Sequence, residues 1–152
     1  GYMAIHDPQG SMNLVRDGIE RLLRSRLCAS TPAQLGYLAG LVSDRTWMAA
    51  YKQKVIDQRD LCIERIAAID GLEVQAPGGA FYMFVKLTDE KWAQDDKKFV
   101  LDLLHQEHVL VVHGSGFSPQ LGKGHFRIVY LPNMEILNEA FDRIERFLQN
   151  TR

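Results

Sequence analysis

Apolar residues change their spacing near Gly71, and the change separates a helical stretch from a sheet-forming one. Before it, Val15, Ile19, Leu22, Leu23 and Leu27 recur at helical spacing, which predicts an amphipathic helix of about four turns with Ser11 as N-cap. Asp7-Pro8-Gln9-Gly10 ahead of it is turn chemistry, and Gly1 to Ile5 reads as a short apolar strand. Thr31 as N-cap with Pro32 at the first helical position starts a second helix. Its stripe is Leu35, Leu38, Ala39 and Val42, and Gly36 and Gly40 allow another backbone to approach closely. Ser43 or Asp44 then caps a long helix from about Thr46 to Ile69. Met48, Tyr51, Val55, Cys62, Ile66 and Ile69 keep its period around a polar gap at Gln58 and Arg59. At roughly 24 residues it would be about 36 Å long, long enough to bridge two domains.

Gly71 ends that helix and the period becomes two. Leu72 to Val74 is a short strand, Pro77-Gly78-Gly79 a turn, and Ala80 to Leu87 a full strand. Phe81, Met83, Val85 and Leu87 share one face of it. Tyr82 and Phe84 make the other face apolar too, so the strand is expected to be central. Thr88 to Asp96 reads as a polar connection, with Asp89 in a capped turn. Phe99, Val100, Leu103 and Leu104 mark a helix, and Val109 to Val112 a short buried strand. A glycine-rich loop, His113 to Gly124, leads to a last strand, His125 to Tyr130. Asn133 caps a final helix with Ile136, Leu137, Ala140, Phe141, Ile144, Phe147 and Leu148 as its stripe. The predicted fold is α/β or α+β, with a small sheet confined largely to residues 72–130 and covered by helices.

Composition narrows the partners. Hydrophobic residues are 46% and charged residues 24%, normal for a globular chain, and the net charge is −1. Arg16, Arg21, Arg24 and Arg26 have no interleaved aromatics, so they read as a solvated helix face, with no nucleic-acid partner expected. No run approaches the ~18 apolar residues of a membrane span, so no membrane partner is expected either. Cys28 and Cys62 make no disulfide framework and read as two buried thiols of a cytoplasmic protein.

Arg127 is the residue that demands an explanation. Phe126, Ile128 and Tyr130 face one side of its strand, and Arg127 shares the other with Val129. A guanidinium in an apolar strand is costly unless an anion pairs with it. That anion is either a fixed Asp or Glu or a ligand carboxylate held by two parallel hydrogen bonds. Other chemistry is weaker. Gly114-Ser115-Gly116 with Gly122 and Gly124 lacks the phosphate-loop spacings, and a strand follows it, so a tight loop fits better. His105 and His108 flank Glu107 without further ligands at zinc spacing, so no metal is expected. Ser115 has no nearby histidine-acid pattern and no nucleophile elbow.

Together, several words of the sequence resemble one family. They are Arg26-Leu27-Cys28 with Thr31-Pro32-Ala33-Gln34, Gly79-Ala80-Phe81-Tyr82-Met83-Phe84, Gly114-Ser115-Gly116-Phe117, and His125-Phe126-Arg127-Ile128 with Leu131-Pro132. In order and spacing the chain resembles the C-terminal portion of a fold-type I, pyridoxal-phosphate-dependent aminotransferase, in its alanine aminotransferase branch. His113 stands where relatives usually have proline, and Ser118 where glycine is common.

The resemblance implies the C-terminal part of the PLP-dependent transferase fold. Residues 1–45 would be a remnant of the large cofactor-binding domain, 46–70 the linking helix, and 71–152 the small domain. It implies pyridoxal 5'-phosphate in the complete enzyme, amino-acid and 2-oxo-acid substrates, and a homodimer. Arg127 would grip the substrate α-carboxylate, and Phe81 would lie near the pocket mouth. No lysine stands in the family's Ser-x-Ser-Lys setting, so no catalytic residue is expected in this chain, which would be inactive alone. The expected activity of the parent is amino transfer between alanine and 2-oxoglutarate or pyruvate. The alternatives are a non-catalytic domain that binds a small carboxylate, or the same cofactor chemistry with an aspartate- or aromatic-preferring substrate.

Overall fold

A computed structural model describes residues 3–151. The chain divides into two units, the first ending at Arg45 and the second beginning at Thr46.

The first unit holds α1 (Asn13–Arg24) and α2 (Thr31–Val42). Its helices form where the apolar period predicts, but their ends differ. Asp7 takes the capping role expected of Ser11, accepting from Ser11 N at 3.0 Å and Met12 N at 2.7 Å. Two donors at the helix entry favour a carboxylate over a hydroxyl, and they hold the Asp7 pKa below its ordinary value, the Met12 N–H most of all. α1 stops at Arg24, three residues short of Leu27, which has a left-handed backbone at φ 68°. α2 begins one residue early, with Ser30 in the cap position and Thr31 inside the helix. The strand expected over residues 1–5 is not formed at residues 3–5, while residues 1 and 2 lie outside the described residues. A strand needs a ladder partner, and no strand is present among the described residues of this unit. None of those residues is buried, so Cys28, expected inside, is exposed.

The second unit opens on α3 (Trp47–Ala68), a 22-residue helix starting after Thr46 rather than at a Ser43 or Asp44 cap. Its first turns expose Met48 and Tyr51, and only the later positions Cys62, Ile66 and Ile69 are buried. Gln58, read as part of a polar gap, is buried as well, because its amide donates to the carbonyls of Leu131 (3.1 Å) and Pro132. There follow β1 (Leu72–Val74), β2 (Tyr82–Leu87), α4 (Glu90–Gln94), α5 (Asp96–Glu107), β3 (Val112–His113), β4 (His125–Val129) and α6 (Met134–Thr151). The sheet is antiparallel in the order β1-β2-β4-β3, which makes β2 central as the two-sided apolar pattern predicts.

One face of the sheet carries the core. Met83, Val85, Leu87, Phe126 and Ile128 point into it, against α5 and α6 and the end of α3. Trp92, Phe99, Phe126 and Phe147 form a linked aromatic cluster with centroids 5.1–5.6 Å apart. Trp92 lies in the stretch expected to be a polar connection. Asp89 caps a short helix there by accepting from Lys91 N at 2.9 Å, and that helix turns the indole inward. The strand expected over Val109 to Val112 shrinks to Val112–His113, because α5 ends in a left-handed His108 (φ 57°) and the chain needs several residues to reach the sheet edge. In α6 the predicted stripe is buried except Ala140, which is half-buried, and Ile136, which is exposed in the first turn, and Asn133 caps the helix by accepting from Ile136 N at 2.9 Å.

Candidate functional site

The second face of the sheet differs from the first. Strand alternation puts Tyr82 and Phe84 of β2 and Arg127 and Val129 of β4 on it, Arg127 half-buried and the other three exposed. The register sets Phe84 directly opposite Arg127 on one side and Val112 opposite it on the other. Arg127 is therefore on a central strand, where the backbone is held by ladders on both sides and cannot drift.

Its guanidinium is held by rings rather than by a carboxylate. The Cζ atom lies 4.6 Å from the Tyr82 ring centroid and 4.4 Å from that of Phe117. Phe117 in turn meets Phe84 edge-on at 5.4 Å. No carboxylate among the described residues forms an ion pair with Arg127. Its Nε is buried and has no hydrogen-bond partner. Of the two anions the sequence left open, the fixed Asp or Glu is thus not found among the described residues. A cation held by aromatic rings keeps its charge and its N–H donors for something else.

Phe81 occupies another place. It precedes β2, after Ala80, whose left-handed backbone (φ 61°) follows Gly78 and Gly79. The Ala80 carbonyl accepts from the Tyr130 hydroxyl at 3.1 Å, and the Phe81 carbonyl from Tyr130 N at 3.1 Å. Burial raises the Tyr130 pKa and favours the neutral phenol that can donate in this way. The Phe81 ring lines a groove with Tyr51, Val55 and Arg59, and Arg127 does not reach it. Tyr82 joins the two expected site residues, its ring 4.5 Å from that of Phe81 and 4.6 Å from the Arg127 Cζ.

The glycine loop is a closed turn. Gly114 to Gly116 form a single 3-10 turn, and a Cβ at Gly114 or Gly122 would collide with the carbonyl of the other. No histidine-acid pattern at Ser115 is visible along the sequence, yet the fold supplies one. Asp96, 3% exposed, accepts from Ser115 N at 2.7 Å and from Ser115 Oγ at 2.8 Å, while His113 Nδ1 lies 3.0 Å from the same Oγ. The order is not that of a nucleophilic triad, in which the histidine stands between serine and acid. Here the serine stands between the other two, and its proton goes to the carboxylate. His113 and Ser115 are visible in the sequence, but Asp96 lies 19 residues earlier and looks like an ordinary helix-start acid.

Ligation is poorly served elsewhere. No group of three metal-ligating side chains stands together among the described residues. Glu107, between the two histidines, is turned to Arg146, 2.5 Å away, which holds its pKa below the ordinary value. All seven lysines are exposed, whereas a lysine that forms an internal Schiff base needs a desolvated pocket. No helix among the described residues is long and apolar enough to cross a membrane.

Comparison with known proteins places these features. The family model described as aminotransferase class I and II matches residues 1–144. Glutamate-pyruvate aminotransferase AlaA of Haemophilus influenzae is 36% identical over 100% of this chain and 38% of its own length. The solved alanine aminotransferase of Pyrococcus furiosus is 46% identical with a TM-score of 0.86, covering 95% of this chain and 36% of that one. A solved aspartate aminotransferase from Thermotoga maritima is 35% identical with a TM-score of 0.67, over 80% of this chain and 29% of that one. The chain thus spans less than two fifths of the length of these relatives.

Proposed function

The chain belongs to the aminotransferase class I and II family, and we propose that it is the C-terminal part of an enzyme that moves an amino group between alanine and a 2-oxo acid, 2-oxoglutarate or pyruvate. The greater likeness to alanine and glutamate-pyruvate aminotransferases than to the aspartate enzyme supports that substrate pair. The family works with pyridoxal 5'-phosphate, which supplies an electron sink for chemistry at the substrate α-carbon. The exposed lysines of this chain do not fit the role of its anchor. In this reading the anchoring lysine and the phosphate site lie outside these residues, and the chain alone is inactive. Residues 1–45, with no buried position among those described, would belong to the large domain, 46–70 to the link and 71–152 to the small domain. The parent would be a homodimer.

One observation carries the reading of the site, the unpaired guanidinium of Arg127. Its charge is satisfied by no carboxylate of the described chain, and two aromatic rings stand within 4.6 Å of its Cζ. A planar fork held in this way suits the α-carboxylate of an amino acid or 2-oxo acid, bound through two parallel hydrogen bonds. Arg127 would orient the substrate and supply affinity, without moving a proton. Phe81, which lines a neighbouring groove and touches Tyr82, would stand near the mouth of that pocket without lining it.

The test is substitution in the full-length enzyme. Arg127→Ala should lower kcat/KM for alanine by on the order of 30-fold to several thousand-fold, the equivalent of roughly 2–5 kcal/mol for a truncated charge pair. Arg127→Lys keeps the charge but not the fork and should fall between Ala and wild type. Amines without an α-carboxylate should show little of this loss. An equal loss with such amines would make Arg127 a structural residue.

A further inference from the structure

We infer that Asp96 and Ser115 are positioning residues for Arg127, acting through the turn that carries Phe117. The inference rests on reading Arg127 as the carboxylate-holding residue. Asp96 is the first residue of α5, nearly fully buried, and no cation pairs with it among the described residues. A buried carboxylate in that position is stable only if its oxygens are well hydrogen-bonded. Ser115 provides both bonds, its N–H to one oxygen and its hydroxyl to the other. A single residue gripped at two points has no freedom to rotate, so the 3-10 turn is pinned to the start of α5.

The geometry of the bonds also sets the state of His113. A serine hydroxyl has one proton, and it is directed at Asp96. His113 Nδ1, 3.0 Å from that hydroxyl, must therefore carry a proton and donate it to Oγ. The imidazole then lies against Gly116, where a Cβ would meet the ring at 2.9 Å, and so braces the turn from its other side.

Phe117 follows directly, and its N–H donates to Gly114 O at 2.9 Å. Beyond it the chain runs through an exposed loop, and the Phe117 side chain is itself 49% exposed. Little burial holds the ring in place, so the pinned turn decides where it stands. It stands against the guanidinium, 4.4 Å from Cζ, beside the Tyr82 ring at 4.6 Å. Releasing the turn would leave Arg127 with one aromatic wall and a freer fork.

The experiment pairs kinetics with a local probe. In full-length enzyme, Ser115→Ala should raise KM for alanine by roughly three- to tenfold, the scale of one lost cation–aromatic contact, with a smaller change in kcat. Ser115→Thr, which retains the hydroxyl, should recover most of the loss, and Asp96→Asn should resemble Ser115→Ala. In 15N-arginine-labelled protein without substrate, the Arg127 Nε–H resonance, identified by its disappearance in Arg127→Lys, reports the ring current of Phe117. Ser115→Ala should move that resonance in the direction that Phe117→Leu does. An unmoved resonance in Ser115→Ala overturns the inference whatever the kinetics show. A moved resonance with unchanged KM for alanine, while Arg127→Lys remains impaired, also overturns it and leaves the reading of Arg127 standing. If Arg127→Lys itself reacts normally with alanine, that reading fails and the positioning role fails with it.

Discussion

In the first unit Leu27 is 90% exposed and Leu14 88%, whereas in the second Phe99 and Phe126 are entirely buried. Both units carry helices with apolar stripes at the correct spacing. In the second, α3, α5 and α6 lay those stripes on a sheet and on one another. In the first, Leu35, Leu38 and Val42 of α2 stay 56–76% exposed. An apolar stripe is a demand for a partner surface, and helical periodicity states the demand without meeting it. The lesson is that secondary structure and burial are separable even within one short chain.

The largest contrast should be chemical. Burial pushes the Cys62 thiol up to about 12, while Cys28 is exposed. Since the thiolate is the reactive form and the Cys62 sulfur is buried, Cys62 should react with a disulfide reagent at neutral pH more than about tenfold more slowly than the exposed Cys28. Stopped-flow thiol titration measures both phases, and two equal fast phases would show that the second unit lacks a closed interior.

Stability should follow the same division. Phe99 touches Trp92, Phe126 and Phe147, so Phe99→Ala should cost roughly 3–5 kcal/mol, the usual penalty for emptying an aromatic core position. Leu38→Ala in α2 should stay within about 0.5 kcal/mol, as exposed positions do. Urea titration followed by tryptophan fluorescence compares them, since Trp92 reports the core. Comparable losses at the two sites would mean that α2 is covered.

Acid should distinguish the units least, and only locally. The folded pKa of Glu107 is depressed below 4.5 by the Arg146 guanidinium, and that of Asp7 below 3.8, chiefly by the Met12 N–H. A depressed carboxylate stabilises fully above its unfolded value and loses that contribution as pH falls through its folded value. The α5–α6 contact through Glu107 should therefore weaken on descending below pH 4.5, and the α1 entry turn through Asp7 below 3.8. Carboxyl NMR titration reads both, and Glu107→Gln should abolish the first change while leaving the second. A Glu107 midpoint at or above 4.5 would mean that the Arg146 pair does not form in solution.

Arg127 was legible because it breaks a local rule. A charge in a strand whose neighbours are Phe126, Ile128 and Val129 needs a reason, and alternation alone assigns its face. Phe117, which completes its setting, was visible only as a member of a loop word. Asp96 was invisible as a site residue, since nothing about an acid at a helix start says that it will be buried. Trp92 was missed for a related reason. One aromatic among Lys91, Gln94 and Asp95 has no periodic companions, so its burial has no local signature.

What the sequence determined by itself is what backbone geometry makes periodic: the helices α1, α2, α3, α5 and α6, most of the α6 stripe, the central place of β2 and the side on which Arg127 stands. A helix repeats every 3.6 residues and a strand every two wherever it occurs, so these patterns need no knowledge of distant residues. Only the tertiary structure decided which stripes are covered and which polar groups find partners. The Gln58 amide nitrogen finds a carbonyl 73 residues away, and the Ser115 hydroxyl a carboxylate 19 residues away. Such pairings are fixed by where helices land on the sheet, a property of packing that no window of sequence contains.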